Sequence, residues 1–196
     1  EDYFDKNANN LRKFFLKAPV SFSRISSRFK RNRKHPVTGR WKGHFGTDFA
    51  APIGTPIYST ADGEIIEASY SKYNGYYVKV RHNSTFTTQY LHMDKSTKSL
   101  WRKKGIKKGK KVRQGLDVIG YVGKTGLATG PHVCYRFWKN GKQVDPFKVS
   151  LPPSSPISDN KREDFDKKKT VWLDKLNLIT YPNEDILDTL DYMTMH

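Results

Sequence analysis

The stretch Gly130-Pro131-His132-Val133-Cys134-Tyr135 contains the only cysteine among the 196 residues of the chain. If this stretch is a β-strand, its side chains alternate between two faces, so His132 and Cys134 point the same way. Imidazole and thiolate are both ligands of zinc and related metals. A free cysteine is more often a small buried hydrophobe, and the stretch alone leaves both interpretations of Cys134 open.

Length and composition restrict the class of protein. The 196 residues have room for one sizeable domain with appendages, and no apolar run is long enough to span a bilayer. The acidic start at Glu1–Asp5 lacks the pattern of a signal peptide, and there is no initiator Met. We therefore expect the chain to be part of a longer protein with further domains upstream.

The charge of the chain points to an anionic partner. Its formal net charge is +17, which predicts attraction to an anionic surface or polymer. The cations collect in two runs, Arg28–Lys34 and Arg102–Lys111. No zinc-finger, homeodomain or RNA-recognition motif accompanies either run, so we expect no specific nucleic-acid partner. Bacterial envelope polymers are also anionic, and charge alone does not separate the two classes.

Turn and proline signals divide the chain into four parts. Residues 1–19 are an N-terminal strap, or the tail of an upstream region, and residues 20–150 are the main domain. Residues 151–158 are a linker, and residues 159–196 are a helical C-terminal appendage.

Helices are predicted only towards the ends of the chain. Leu11, Phe14, Phe15 and Ala18 recur at helical spacing and predict a short amphipathic helix that ends at Pro19. A second helix is predicted over Asp159–Leu178, capped by Ser158 or Asp159, and a third over Asn183–Met193.

The main domain is predicted to be an antiparallel, mainly β domain, because short β-prone runs alternate with turn signals. The candidate turns are Asp62-Gly63, Asn74-Gly75, His82-Asn83-Ser84 and Asn140-Gly141. The candidate strands are Ile57–Thr60, Glu64–Tyr70, Tyr76–His82, Thr85–Met93, Asp117–Val122 and His132–Trp138.

Two further stretches carry candidate chemistry. In an extended chain, residues four apart share a face, so His44 and Asp48 are expected to converge on one ion. This spacing alone is a weak signal. His92 lies within an alternating strand, where a hydrogen-bonded structural histidine is the simpler interpretation.

The remaining motifs are less informative. The Gly-rich loop Gly120–Pro131 contains Lys124-Thr125, but without the spacing of a phosphate-binding loop. His35 and His82 are expected to be solvated, and His196 is terminal.

Together, these motifs resemble the lysostaphin-type (LytM-like) zinc metallopeptidases of bacterial cell walls. The resemblance covers residues 20–148, and its early part is most similar to the Gram-negative endopeptidase branch. The core motifs are His44…Asp48, Tyr90-Leu91-His92-Met93 and Gly130-Pro131-His132-Val133-Cys134. The flanking motifs are Ser26–Phe29, His35–Gly39, Gly54–Pro56, Asp62-Gly63, Gly115, Ile119-Gly120 and Gly123–Gly126.

The resemblance implies a fold and a function. The expected fold is an antiparallel β-sheet with a narrow groove, and the expected activity is zinc-dependent cleavage of peptide cross-links in peptidoglycan. His44, Asp48 and Cys134 would bind Zn²⁺, while His92 and His132 would be catalytic. The partners would be peptidoglycan peptide stems and the anionic cell-envelope surface, in the periplasm or cell envelope.

Cys134 departs from the family pattern, which usually has histidine at this position. Zinc bound by one carboxylate, one histidine and a thiolate carries one positive charge less than zinc bound by two histidines and a carboxylate. A less positive centre acidifies water less and polarises a carbonyl less. The chain is therefore expected to be a slower endopeptidase or one that needs a higher pH. The alternative is a degenerate domain that binds peptidoglycan or regulates another hydrolase.

Overall fold

The computed structural model describes residues 4–11, 13–21, 23–34, 41–151 and 157–179. The chain forms two compact units, one made of Glu1–Lys13 and Pro153–His196, the other of Phe14–Pro152. The predicted helix Asn183–Met193, most of the predicted linker, and His35 and His196 lie outside the described residues. The predicted division of the chain into four parts stays a prediction.

The described part of the Phe14–Pro152 unit is built from short β-strands and one helix, α1 (Thr97–Lys104). The strands are β1 (Arg24–Ser27), β2 (Lys30–Lys34), β3 (Trp41–His44), β4 (Thr47–Ala50), β5 (Pro56–Tyr58), β6 (Gly63–Ser71), β7 (Gly75–Arg81), β8 (Phe86–Met93), β9 (Lys111–Val112), β10 (Val118–Tyr121), β11 (His132–Lys139) and β12 (Lys142–Val144).

One large antiparallel sheet organises this unit. Its strands lie in the order β1-β4-β11-β8-β7-β6-β9, and β12 also pairs with β11. β10 pairs with β5, and β2 with β3, in two small two-stranded sheets. Every strand pair is antiparallel, as predicted. β4, β11 and β8 are neighbours in the sheet, so the three candidate stretches of the sequence are adjacent in space.

The core explains why β11 is held so firmly. Val133, Tyr135 and Phe137 alternate along β11 and are buried in one hydrophobic cluster, and each large apolar side chain contributes about 1.5–3 kcal/mol by burial. The Tyr135 hydroxyl is satisfied by Thr60 Oγ1 at 2.9 Å, which also contacts the Tyr90 hydroxyl at 2.9 Å. The opposite face of β11 is therefore left for His132 and Cys134.

Most predicted strands are confirmed within one or two residues, and the predicted hairpin turns join β6 to β7, β7 to β8, and β11 to β12. Asn140 and Gly141 have positive φ values of 49° and 74°, as a tight hairpin turn requires. β1 to β4, β9, β12 and α1 were not predicted. β2 (KRNRK) and β3 (WKGH) contain no β-branched residue, so local propensity gives them no strand signal. β9 and β12 are only two and three residues long.

The other unit contains α2 (Asp159–Asn177), which confirms the predicted helix and its cap position, Ser158. None of its residues is buried, and ion pairs such as Lys167–Glu163 and Lys168–Asp164 lie along its surface. The predicted N-terminal amphipathic helix is wrong, because the described part of residues 4–21 contains no helix. Phe15 instead packs its ring into the core of the Phe14–Pro152 unit. Neither described helix is both long and apolar enough to cross a membrane.

Candidate metal centre

His44 and Asp48 are brought together by a turn. His44 ends β3 and Asp48 lies in β4, with Phe45 and Gly46 between the strands, so the two do not share one extended strand as the spacing had suggested. Their side chains still converge, with His44 Nε2 at 3.0 Å from Asp48 Oδ1. His44 Nδ1 lies 3.2 Å from the carbonyl oxygen of Arg28. A carbonyl oxygen only accepts, so the ring proton is on Nδ1 and Nε2 presents a lone pair.

Cys134 completes a group of three ligand atoms. It is the direct cross-strand partner of Asp48 in the pairing of β11 with β4, and its sulfur lies 3.6 Å from His44 Nε2. The ligand atoms of His44, Asp48 and Cys134 all lie within 4.8 Å of one another. Alternation along β11 predicted that Cys134 faces the same way as His132, and the structure agrees.

The three side chains fit a metal ion. Ligand atoms about 2.0–2.3 Å from a tetrahedral zinc are separated by about 3.3–3.7 Å. His44 Nε2 lies 3.0 Å from Asp48 Oδ1 and 3.6 Å from Cys134 Sγ, close to this range. The buried Oδ1 of Asp48 has no hydrogen-bond donor, although it faces His44 Nε2. With the ring proton on Nδ1, two lone pairs face each other at 3.0 Å, an arrangement that a cation bound between them would stabilise. Imidazole, carboxylate and thiolate are all zinc ligands.

His92 reaches this cluster through a kink in β8. Its φ of 62° lies in the left-handed region, and its backbone N–H donates to the Asn74 carbonyl at 2.9 Å. The pairing of β7 with β8 shifts register at this point. Strict alternation would put His92 on the core face with Tyr90, but the kink places its ring centroid 4.8 Å from that of His132.

Backbone carbonyls fix the tautomers of both histidines. His92 Nδ1 lies 2.8 Å from the Thr125 oxygen, and His132 Nδ1 lies 2.8 Å from the Gly130 oxygen. Both rings therefore donate through Nδ1 and, when neutral, present Nε2 as a proton acceptor. His132 Nε2 is 3.8 Å from Asp48 Oδ1, so its acceptor nitrogen faces the ligand cluster.

Burial controls the charges in the cluster. Burial, together with the charge of His132, lowers the pKa of His92 to about 4, so His92 is neutral at pH 7. Burial raises the pKa of the Cys134 thiol, and the Asp48 carboxylate adds to this rise. Burial also acts to raise the pKa of Asp48, but His44, His132 and Cys134 together hold it below its usual value. A bound cation would be needed to draw the proton from Cys134.

Several residues that shape the site were not predicted. A Cβ built on Gly46 would lie 2.8 Å from Cys134 Sγ, so glycine keeps the turn clear of the sulfur. The Thr125 carbonyl orients His92, and Tyr76 N–H donates to Thr125 Oγ1 at 3.1 Å. Arg136 lies two residues after Cys134 on β11. Alternation along β11 was the one sequence signal able to reveal Arg136.

His82 differs from expectation. It was predicted to be solvated, but Nδ1 donates to the Asp62 carbonyl at 2.8 Å and Nε2 lies 2.8 Å from Thr88 Oγ1. Its ring also packs edge-on against Phe15. His82 is a structural histidine, and it lies outside the ligand cluster.

Comparisons with known proteins agree with this geometry. The family model of peptidase family M23 matches residues 42–146. The chain is 39% identical over 186 residues to the peptidoglycan DD-endopeptidase ShyC of Vibrio cholerae, a match that covers 93% of the chain and 41% of the relative. The chain thus spans about two fifths of the length of this curated relative.

Solved structures share the fold. A zinc-containing peptidase from Vibrio cholerae is 41% identical with a TM-score of 0.62, covering 77% of this chain and 44% of that one. The catalytic domain of lysostaphin from Staphylococcus simulans is 27% identical with a TM-score of 0.52, covering 64% of this chain and 90% of that one. The antiparallel fold is thus the lysostaphin-type fold, and the chain belongs to peptidase family M23.

Proposed function

We propose that this chain carries a zinc-dependent peptidoglycan endopeptidase that hydrolyses peptide cross-links of the bacterial cell wall. The observation that carries the proposal is the convergence of His44, Asp48 and Cys134 beside two histidines that present Nε2 as an acceptor. Three relatives that are 39–40% identical to the chain are named peptidoglycan DD-endopeptidases, which supports the substrate class.

His44, Asp48 and Cys134 would hold the zinc ion. When bound, zinc supplies a Lewis acid that polarises the scissile carbonyl and acidifies a water molecule. Three protein ligands leave one position open, which is the usual arrangement of a catalytic rather than a structural zinc site.

His92 and His132 would move the proton. Each ring donates Nδ1–H to a backbone carbonyl, so a neutral ring accepts the proton of the attacking water at Nε2. A ring that has accepted this proton becomes a donor at both nitrogens and passes the proton to the leaving amine. The second histidine, also at the cluster, stabilises the oxyanion when its Nε2 carries a proton.

The bond cut would join D-Ala to a diamino acid of a neighbouring peptide stem, and the site of action would be the periplasm or cell envelope. Both assignments rest on similarity to the relatives. The basic surface would hold the chain near the anionic envelope. Arg102, Lys103, Lys104, Lys107 and Lys108, here called the α1 ridge, are all exposed, and none makes an ion pair within the described residues.

Cys134 is the residue on which activity depends. The thiolate lowers the charge of the centre, so we expect slower turnover or a higher optimal pH. A degenerate domain that binds peptidoglycan or regulates another hydrolase is the alternative. The geometry of His44 and Asp48 favours the metal-binding enzyme over the degenerate domain. Asp48 Oδ1 is buried without a hydrogen-bond donor, which is unfavourable unless a metal ion binds it.

The test measures metal content and cleavage in the same preparation. The purified chain and its Cys134→Ser variant are assayed for zinc by mass spectrometry, and both are incubated with peptidoglycan sacculi. Near-stoichiometric zinc and release of uncross-linked muropeptides by the parent chain are expected, with both lost in the variant. Zinc-free parent protein would contradict the proposal. Binding to sacculi without muropeptide release would establish the degenerate domain instead.

A further inference from the structure

Three hydrogen bonds hold His92 in its unusual backbone conformation. A non-glycine residue with a φ of 62° keeps that conformation only where its surroundings fix it. The His92 N–H donates to the Asn74 carbonyl oxygen at 2.9 Å, and the ring donates through Nδ1 to the Thr125 carbonyl oxygen at 2.8 Å. The carbonyl oxygen of the next residue, Met93, accepts from the Thr125 hydroxyl at 2.5 Å. Thr125 therefore makes two of these three bonds.

The Thr125 hydroxyl also bridges two strands of the large sheet. Tyr76 on β7 and Met93 on β8 are direct cross-strand partners at the point where the register of this pairing shifts. The hydroxyl accepts from the Tyr76 N–H at 3.1 Å and donates to the Met93 carbonyl oxygen. One side chain thus ties the loop that carries it to both strands next to His92.

Two glycines allow this loop to approach the hairpin of β6 and β7 closely. Gly75 begins β7 and Gly126 follows Thr125, and their φ values are 66° and 76°. A Cβ on Gly75 would overlap Thr125 Oγ1, and a Cβ on Gly126 would overlap the backbone nitrogen of Gly75. The Leu127 N–H also donates to the Tyr73 carbonyl oxygen at 2.9 Å. The hairpin and the loop are therefore packed together as one unit.

The proton-accepting nitrogen of His92 depends on where the Thr125 carbonyl lies. A neutral imidazole carries one proton, and both of its tautomers are populated unless a fixed partner selects one. A carbonyl oxygen only accepts, so the bond from His92 Nδ1 to the Thr125 oxygen keeps the proton on Nδ1. A proton on Nε2 instead would leave this nitrogen unable to accept the proton of a water molecule.

We propose that Thr125 is a positioning residue whose hydroxyl, by bridging β7 and β8, holds its own carbonyl against His92 and so selects the tautomer with a free Nε2. This inference rests on the proposed function, because it takes His92 as the proton acceptor. The hydroxyl suits the task because it donates and accepts at the same time, while the main-chain carbonyl stays available for the ring. The side chain of a residue that does not touch the reacting atoms thereby controls a ring that does.

NMR of the full chain at neutral pH tests the inference without relying on activity. The chemical shifts of the ring nitrogens distinguish a protonated nitrogen from a bare one, and loss of the signals in His92→Gln assigns them. The parent chain is expected to carry the proton on Nδ1. Thr125→Val has the shape of threonine without the hydroxyl and is expected to show both tautomers. Thr125→Ala is a second variant without the hydroxyl, and Thr125→Ser, which retains it, is expected to match the parent.

Steady-state kinetics with a soluble cross-linked muropeptide dimer provide the second readout. Thr125→Val is expected to lower kcat at least about tenfold, because part of the enzyme holds the wrong tautomer, while KM changes less than about twofold. Thr125→Ser should recover most of the parent kcat. The matched control is Thr55→Val, which removes a hydroxyl that donates to the Pro52 carbonyl oxygen at 2.8 Å. Its tautomer and kcat are expected to equal those of the parent.

Two outcomes would overturn the inference. A single Nδ1–H tautomer in both variants without the hydroxyl would make Thr125 a structural residue only, even if their free energy of unfolding falls. Equal effects of Thr55→Val and Thr125→Val on the tautomer would show a general response to a lost loop hydroxyl. Absence of cleavage by the parent chain with zinc would instead overturn the proposed function. The effect of Thr125 on the tautomer would stand in that case, so the two failures are distinguishable.

Discussion

Cys134 lies directly opposite Asp48 in the antiparallel pairing of β11 with β4. The backbone of two paired strands holds both residues, so the sulfur reaches the carboxylate and His44 without any loop rearrangement. The buried faces of these strands, with Phe49 and Tyr135 in ring contact, make this register costly to change. The residue type at a ligand position on such a strand can therefore change, for example from histidine to cysteine, while the backbone at that position stays in place.

Replacement of Cys134 separates ligand chemistry from folding. Cys134→Ser removes the thiolate and is expected to weaken zinc binding by at least about 100-fold, measured by competition with a chromophoric chelator. Cys134→His should retain stoichiometric zinc and raise kcat/KM about tenfold, because the centre becomes more positive. Unchanged zinc affinity in Cys134→Ser would mean that the sulfur does not bind the metal.

Gly46 is predicted to be essential for the position of the sulfur. In Gly46→Ala the new Cβ would lie 2.8 Å from Cys134 Sγ and 3.1 Å from the Tyr135 carbonyl oxygen, so the strands must move apart. We expect a loss of about 1–3 kcal/mol in the free energy of unfolding and weaker cobalt binding. Gly130→Ala is the control, since nothing lies within 4 Å of its Cβ position. Equal behaviour of the two variants would contradict this account.

The strand His132–Lys139 shows how much of the site could be predicted from sequence. Strict alternation correctly separated Val133 and Tyr135 from His132 and Cys134, because both faces of a central strand have fixed environments. The convergence of His44 with Asp48 was also expected, but its cause, a turn between two strands, was not. Three short stretches in the family order then predicted that β4, β8 and β11 contribute to one site.

Other features could not be predicted because they depend on tertiary contacts. No residue type in the strand around His92 predicts its positive φ. Alternation alone would have placed its ring on the core face with Tyr90. Phe14 and Phe15 have helical spacing, but burial of Phe15 against Phe137 outweighs local helix propensity. The hairpin turn at His82 was predicted correctly, but the ring of His82 is not solvated as expected. Its two ring nitrogens contact the Asp62 carbonyl oxygen and the Thr88 hydroxyl instead.

The backbone at His92 allows a paired test of chemistry and strain. His92→Gly and His92→Ala both remove the imidazole and should lower kcat by at least about 100-fold while zinc stays bound. Glycine adopts a φ of 62° without strain, whereas alanine does not. His92→Ala is therefore expected to be about 1 kcal/mol less stable than His92→Gly in urea unfolding. Equal stability, or loss of zinc from either variant, would contradict this description.

His82 is predicted to make folding sensitive to acid. Burial lowers its pKa from the ordinary 6.5 to about 4, so the unfolded chain binds a proton below pH 6.5 that the folded chain does not. Stability should therefore fall as the pH drops from 6.5 to 4, by up to about 3 kcal/mol from this group. Urea unfolding of metal-free protein should show a shallower decline in His82→Gln. An identical pH dependence in parent and variant would assign the decline to other groups, such as His92.

The α1 ridge is predicted to bind the anionic envelope, because its cations make no ion pair within the described residues, unlike Lys167 and Lys168 of α2. Lys107 and Lys108 are replaced together by Gln, and the matched control replaces Lys167 and Lys168, which pair with Glu163 and Asp164. In the Cys134→Ser background, cosedimentation with sacculi should weaken about fivefold for the ridge variant and less than about twofold for the control. The ridge variant should also show a smaller salt dependence. Equal losses in both variants would indicate an effect of net charge alone.

Salt-sensitive binding of the parent to random-sequence DNA, with none to sacculi, would point to nucleic acid as the partner instead.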